Sequence, residues 1–119
     1  MADESLPFYD ETCRVTRSQA IKLLAENWPD RGRHKCELAL AGALAQTGWN
    51  VDDAASFVLA AYQAVPDHDR SKYGRVGTAV RSTFAKHVKG KRITGWPVLA
   101  SCIGKDAADR LRELVRRPS

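Results

Sequence analysis

Eight consecutive residues, Leu38 to Ala45, are Leu, Ala and Gly only. Leu and Ala favour helix, and a helix at a protein surface keeps one polar side for water. This segment has no such side, so the helix it forms belongs in the middle of a domain, ringed by others. The loop that feeds it reads WPDRGRHK, from Trp28 to Lys35. Arg31, Arg33, His34 and Lys35 therefore stand at the mouth of a buried element that can hold them rigidly.

Helix signals repeat along the chain and strand signals do not. Thr16 with Gln19 makes a capping-box pattern, after which Ile21, Leu24, Ala25 and Trp28 recur at helical spacing until Pro29. The central helix begins near Gly32 to His34 and stops at Gly48, where a C-terminal glycine is usual. Asn50 with Asp53 caps a third helix, carried by Val51, Ala54, Ala55, Val58, Ala61, Tyr62 and Val65 and ended by Pro66. A fourth runs from about Ser71 to Val88 and closes at Gly90, with Tyr73, Val76, Val80 and Phe84 as its packing side. Its basic residues Lys72, Arg75, Lys86 and Lys89 fall within roughly 60° of their mean direction and form an outward stripe. Gly74 and Gly77 mark either a close approach to its backbone or a frayed start. A short helix near Pro97 to Ile103 and a last amphipathic one, Asp106 to about Arg117, complete the chain. The last buries Ala107, Leu111, Leu114 and Val115, and Pro118 closes it. The fold class is all-α: a single compact bundle of five to six helices over residues 15–119, with residues 1–14 a flexible N-terminal segment.

A chain of 119 residues suits one domain and buries a core without covalent staples. Three cysteines, Cys13, Cys36 and Cys102, are odd in number and widely spaced, which points to a reducing compartment and away from a disulfide scaffold or zinc site. The longest apolar run falls far short of the ~20 residues that span a bilayer. With an acidic, polar N-terminus unlike a signal peptide, this implies a soluble cytoplasmic protein. The net charge of +5 is concentrated in one block. Residues 1–69 carry 6 Lys/Arg against 11 Asp/Glu, residues 70–105 carry 9 against none, and residues 106–119 carry 4 against 3. A stretch free of carboxylates attracts phosphates, although a solvated basic face is the plainer alternative.

Catalytic signatures are missing. Asp67, His68 and Asp69 have the look of a metal site, but they follow Pro66 in an interhelical turn, where Asp serves as a helix cap. There is neither a phosphate-loop motif nor a nucleophile elbow. His34 and Cys36, two residues apart on a helix, diverge and cannot act as a nucleophile pair. Binding is better supported. Gly32, Arg33 and His34 sit at a helix N-terminus, where free N–H groups favour an anion and Arg adds a two-pronged donor; the plainer alternatives are a salt bridge to a neighbouring helix for Arg33 and a capping or core hydrogen bond for His34. Lys72, Arg75, Arg81, Lys86, Lys89, Lys91 and Arg92 supply further phosphate contacts that position a strand without reading it. Trp96, beside Gly95 and Pro97, is either core or a platform for a base, while Trp28 and Trp49 read as core.

The stretches WPDRGRHKCELALAGALAQTGW, VRSTFAKHVKGKRITGWPVLASCIG and DAADRLRELV, taken in order, resemble the helix-bundle domain that follows the catalytic domain in primase-polymerases of phages, plasmids and mobile elements, members of the archaeo-eukaryotic primase superfamily. The resemblance runs from about Val15 to Arg117, and its most specific parts are G-R-H before the Leu/Ala helix and the later G-x-x-x-x-G-W-P-x-L. Gly32, Arg33, His34, Arg75, Thr83, Gly90, Gly95 and Leu99 fall on the family pattern, and of these Arg33, His34 and Arg75 suit a phosphate. The resemblance implies a non-catalytic module that engages single-stranded template DNA. In some relatives it also engages the initiating nucleotide, a triphosphate with its Mg ion, and no other cofactor is expected. Its partners would be the template and a primase-polymerase catalytic domain or a helicase, in the same chain or another, with no membrane. The chain has its own Met1 and no catalytic domain, which fits an excised fragment or a free-standing relative. Two other readings fit the same residues: a helix-turn-helix-like regulator of duplex DNA, and a protein-interaction module docking a replication partner.

Overall fold

The computed structural model describes residues 17–29 and 32–115. The expected loose segment 1–14, the capping box at Thr16, Cys13, Arg31 and the helix end at Arg117 lie outside them. Six α-helices and a short 3₁₀ turn make up the described chain, with no strand among those residues. They are α1 (17–27), α2 (Arg33–Thr47), α3 (Val51–Gln63), the 3₁₀ turn Arg70–Lys72, α4 (Tyr73–Val88), α5 (Trp96–Ile103) and α6 (Lys105–Val115).

α2 is the central rod that its composition demands. Cys36, Glu37 and every residue from Ala39 to Ala45 are buried. Small residues let its neighbours come close, and Gly42 marks the tightest approach: a Cβ there would run into the backbone carbonyl of Thr94. Gly48 ends the helix with φ 98°, the left-handed conformation a side chain resists. Asn50 caps α3 by accepting from the Asp53 N–H at 2.9 Å.

Side-chain contacts define how the helices run. Arg17 donates to Ser56 Oγ at 3.2 Å and lies 5.9 Å over the Phe57 ring, while Ala25 lines a groove with Ala64, so α1 and α3 run side by side in one direction. Glu37, early in α2, meets Arg75, early in α4, so these two also share a direction. Arg81, midway along α4, pairs with Asp52 at the start of α3, and Tyr62 near the end of α3 meets Tyr73 at the start of α4, so α3 and α4 are antiparallel. α5 packs on α2 and α6, and Trp49 Nε1 donates to the Val115 carbonyl at 3.0 Å, tying the end of α6 to the α2–α3 corner.

Boundaries differ from the sequence expectation in small, explicable ways. α4 starts at Tyr73, because Asp69 caps a separate 3₁₀ turn over Arg70–Lys72. α5 starts at Trp96 with Pro97 in its first turn, where the missing N–H costs nothing. α6 buries Ala108, Leu111 and Val115, leaving Ala107 and Leu114 half-buried. Gly74 and Gly77 both lie within α4 with open space at their Cβ positions, so no part of the bundle approaches the backbone there. Trp28 is buried as read, whereas Trp49 is half-buried.

Candidate nucleic-acid interface

The start of α2, the 3₁₀ turn and the start of α4 meet at one end of the bundle. A cleft of about 450 Å³ opens there, lined by Gly32, Arg33, His34, Tyr62, Asp67, Asp69, Lys72 and Arg75. Four of the basic candidates, Arg33, His34, Lys72 and Arg75, therefore share one cavity. Neither α2 nor α4 has a side-chain cap or an acid in its first turn; the Tyr73 N–H at the start of α4 donates to the Arg70 carbonyl of the 3₁₀ turn, which leaves the start of α2 as the end with first-turn N–H groups for other partners.

The cleft is not a bare cationic cradle. Arg33 donates from Nε to the Pro29 carbonyl at 3.0 Å and from its terminal nitrogen to Asp67 Oδ1 at 2.7 Å. Arg75 reaches both oxygens of Glu37 at 3.3 Å, and His34 Nδ1 stands 3.5 Å from Glu37 Oε1. Glu37 is fully buried, and a carboxylate there requires a cation and hydrogen bonds to compensate lost water. The hydrogen bond from Arg33 holds the Asp67 carboxyl below its ordinary value. Asp69 accepts from the Ser71 N–H and hydroxyl at 2.9 and 2.8 Å, and those two bonds lower its carboxyl in turn. Three acids thus face Arg33, Lys72 and Arg75.

The turn itself is held by stacked rings. His68 lies over Tyr73 with centroids 5.9 Å apart, Tyr62 meets Tyr73 edge-on at 6.1 Å, and the Tyr62 hydroxyl accepts from the Asp69 N–H at 3.0 Å. In the Asp67–His68–Asp69 triplet, Asp69 is a cap as read from sequence, but Asp67 serves Arg33 instead. Among the described residues, no group of three or more His, Cys, Asp or Glu could hold a metal ion.

A second basic region begins at the other end of α4. Lys86, Lys89, Lys91 and Arg92 are all exposed, and none has a carboxylate partner among the described residues. The chain folds over at Gly90, φ 75°, with the Lys91 N–H bonded back to the Lys86 carbonyl at 2.9 Å. Val88, 83 % exposed, stands among these cations. Lys72, Arg75, Thr78, Ser82, Lys86 and Lys89 form one exposed stripe along α4, about 25 Å long at 1.5 Å per residue.

The remaining candidates lie apart. Arg81 is on a different flank, 3.1 Å from Asp52. Trp96 is half-buried against the core and faces a groove near the end of α2, away from the cleft at its start. Both sequence readings of Trp96 thus keep a structural footing.

Glu37 is the residue that sequence reasoning missed. The signal was present: a carboxylate one residue before an all-apolar run must be buried with the helix, and so needs a cation from elsewhere. Cys36 and Cys102, far apart in sequence, also come near one another between α2 and α5. Among the described residues, no helix is long and apolar enough to cross a membrane. Compared with protein-family models, curated proteins and solved structures, the chain matches none.

Proposed function

We propose that this bundle is a non-catalytic module that holds single-stranded template DNA during primer synthesis, next to a primase-polymerase catalytic domain or helicase that belongs to the same chain or a partner. One observation carries the reading: the exposed stripe of α4 and the loop after it present Lys86, Lys89, Lys91 and Arg92 with no ion-pair partner among the described residues. No Asp or Glu occurs anywhere between residues 70 and 105. Lysines on a helix exterior contact phosphates without reading bases, which suits a template of any sequence. The mechanism is positioning, since an ordered strand lowers the entropy cost of bringing template and incoming triphosphate together.

The cleft at the start of α2 serves a smaller anion in this reading, the phosphates of an initiating nucleoside triphosphate with its Mg ion. That ligand has to take Arg33 from Asp67, so Asp67→Asn should raise the affinity for triphosphate. Isothermal titration would read the change.

Fluorescence anisotropy with a labelled single strand tests the main reading across a range of NaCl concentrations. Each phosphate contact contributes about 0.7 to the slope of log K against log salt for single strands. The double variant Lys86→Ala/Lys89→Ala should therefore flatten the slope by about 1.4. Preference for duplex over single strand would favour the helix-turn-helix reading. No salt-dependent binding of either would favour the protein-docking one.

A further inference from the structure

Near the end of α2, a groove of about 530 Å³ opens between α2, α5 and α6, lined by Gln46, Thr47, Trp96, Asp109, Arg112 and Glu113. One wall is a π surface, because the Arg112 guanidinium lies 5.5 Å from the centroid of the Trp96 ring. The chain leading to the indole is pressed onto α2: a Cβ on Gly42 would strike the Thr94 carbonyl, and one on Gly95 would strike the Gln46 amide. Contact that close holds the ring to the central rod rather than leaving it on a loose loop.

The polar lining is rich in acceptors. The Thr47 hydroxyl already donates to the Ala43 carbonyl at 2.7 Å, and Asp109 receives Lys105 at 3.3 Å. Glu113 is exposed and has no cationic partner among the described residues. Two carboxylates repel a phosphate but accept from a neutral N–H. The groove therefore suits a flat, π-faced group with donors on its edge, and Arg92, the last cation of the basic loop, lies four residues before the indole.

We propose that this groove takes one unpaired base of the strand carried by α4 and favours guanine. The inference rests on the template-holding reading above. Guanine stacks on Trp96 and Arg112 while its adjacent N1–H and N2 amino group give a carboxylate two parallel donors. Adenine and cytosine pair their amino group with a neighbouring acceptor, and thymine offers only a single N–H, so each fits an acceptor-rich edge less well.

The test is anisotropy competition on the full chain, using an octathymidylate and the same octamer with one central guanine, adenine or cytosine. The guanine octamer should bind about fivefold more tightly than octathymidylate. Asp109→Asn/Glu113→Gln should erase that preference, leaving the guanine octamer no tighter than octathymidylate. Trp96→Leu, which keeps apolar bulk, should weaken every octamer about tenfold. If that variant fails to fold, Arg112→Ala at an exposed position supplies the stacking comparison, with a loss of about threefold expected. Equal affinities for all four octamers, or a guanine preference that survives loss of both carboxylates, overturns the groove and leaves the template reading standing. If no octamer binds at all, the template reading has failed and the groove falls with it.

Discussion

Arg75 faces two environments: its side chain is 41 % exposed, while its partner Glu37 is 0 % exposed. Removing the guanidinium strands a buried carboxylate, so Arg75→Ala should lower the unfolding free energy by about 3 kcal/mol in urea titrations. An arginine on a helix exterior without that partner would cost no more than about 1 kcal/mol, and sequence alone does not reveal the buried Glu37 carboxylate. Glu37→Gln leaves Arg75 free to reach water and should cost only about 1 kcal/mol. Arg33 is a different case, since Asp67 is 73 % exposed. An ion pair whose acid faces water contributes little, and with the bond from Arg33, itself 19 % exposed, to the Pro29 carbonyl also lost, Arg33→Ala should cost about 1 kcal/mol. The same pair has a pH signature. A carboxyl held low in the fold contributes stability above its unfolded pKa and loses that contribution as pH falls through the folded one. Carboxyl NMR titration should place the Asp67 midpoint under its ordinary 3.8, and Arg33→Ala should move it back up.

At the scale of the element, glycines divide into two kinds that look alike in sequence. Gly42 sits where Thr94 passes against α2, so Gly42→Ala should cost about 2 kcal/mol despite the better helix propensity of alanine. Gly74 and Gly77 face open space, and alanine there should gain about 0.5–1 kcal/mol each. Thermal melts of the three variants would show the opposite signs. The helices were legible because their signals are local: the apolar run of α2, the Asn50 cap and Gly48 each act within a few residues. The 3₁₀ turn was not, because Asp69 capping Ser71 competes with an early start of α4 over the same residues. Nor was the crossing at Gly42, which depends on a loop fifty residues further along.

For the whole molecule, the topology decides what the charges do. The acid-free block from residue 70 to 105 was legible as a basic region, and the exposed stripe on α4 follows from its helical period. A salt bridge at Arg33 was among the sequence readings, but the partners of the neutralising pairs were not legible, since they join residues 34, 38 and 29 positions apart. The same long-range closure buries Cys36, and burial, with Cys102 beside it, pushes the thiol above its ordinary value. The fold then keeps a proton that the unfolded chain loses, so this contribution is complete below the ordinary 9.0 and declines as pH rises beyond it. In native protein at pH 8, Cys36 should resist alkylation by iodoacetamide until denaturant is added, as mass spectrometry of the labelled peptide would show.

With Glu37, Asp67 and Asp69 gathered around the start of α4, and Lys86, Lys89, Lys91 and Arg92 in no ion pair among the described residues past its end, the charge along that axis is uneven. A polyanion approaching through dilute salt exerts a torque on such a body before any atoms touch. On the template-holding proposal, the turn at Gly90 swings forward and capture begins there, next to the Trp96 groove. Reversing Lys86 and Lys89 to glutamate would remove that heading, and encounters would slow far more than dissociation hastens.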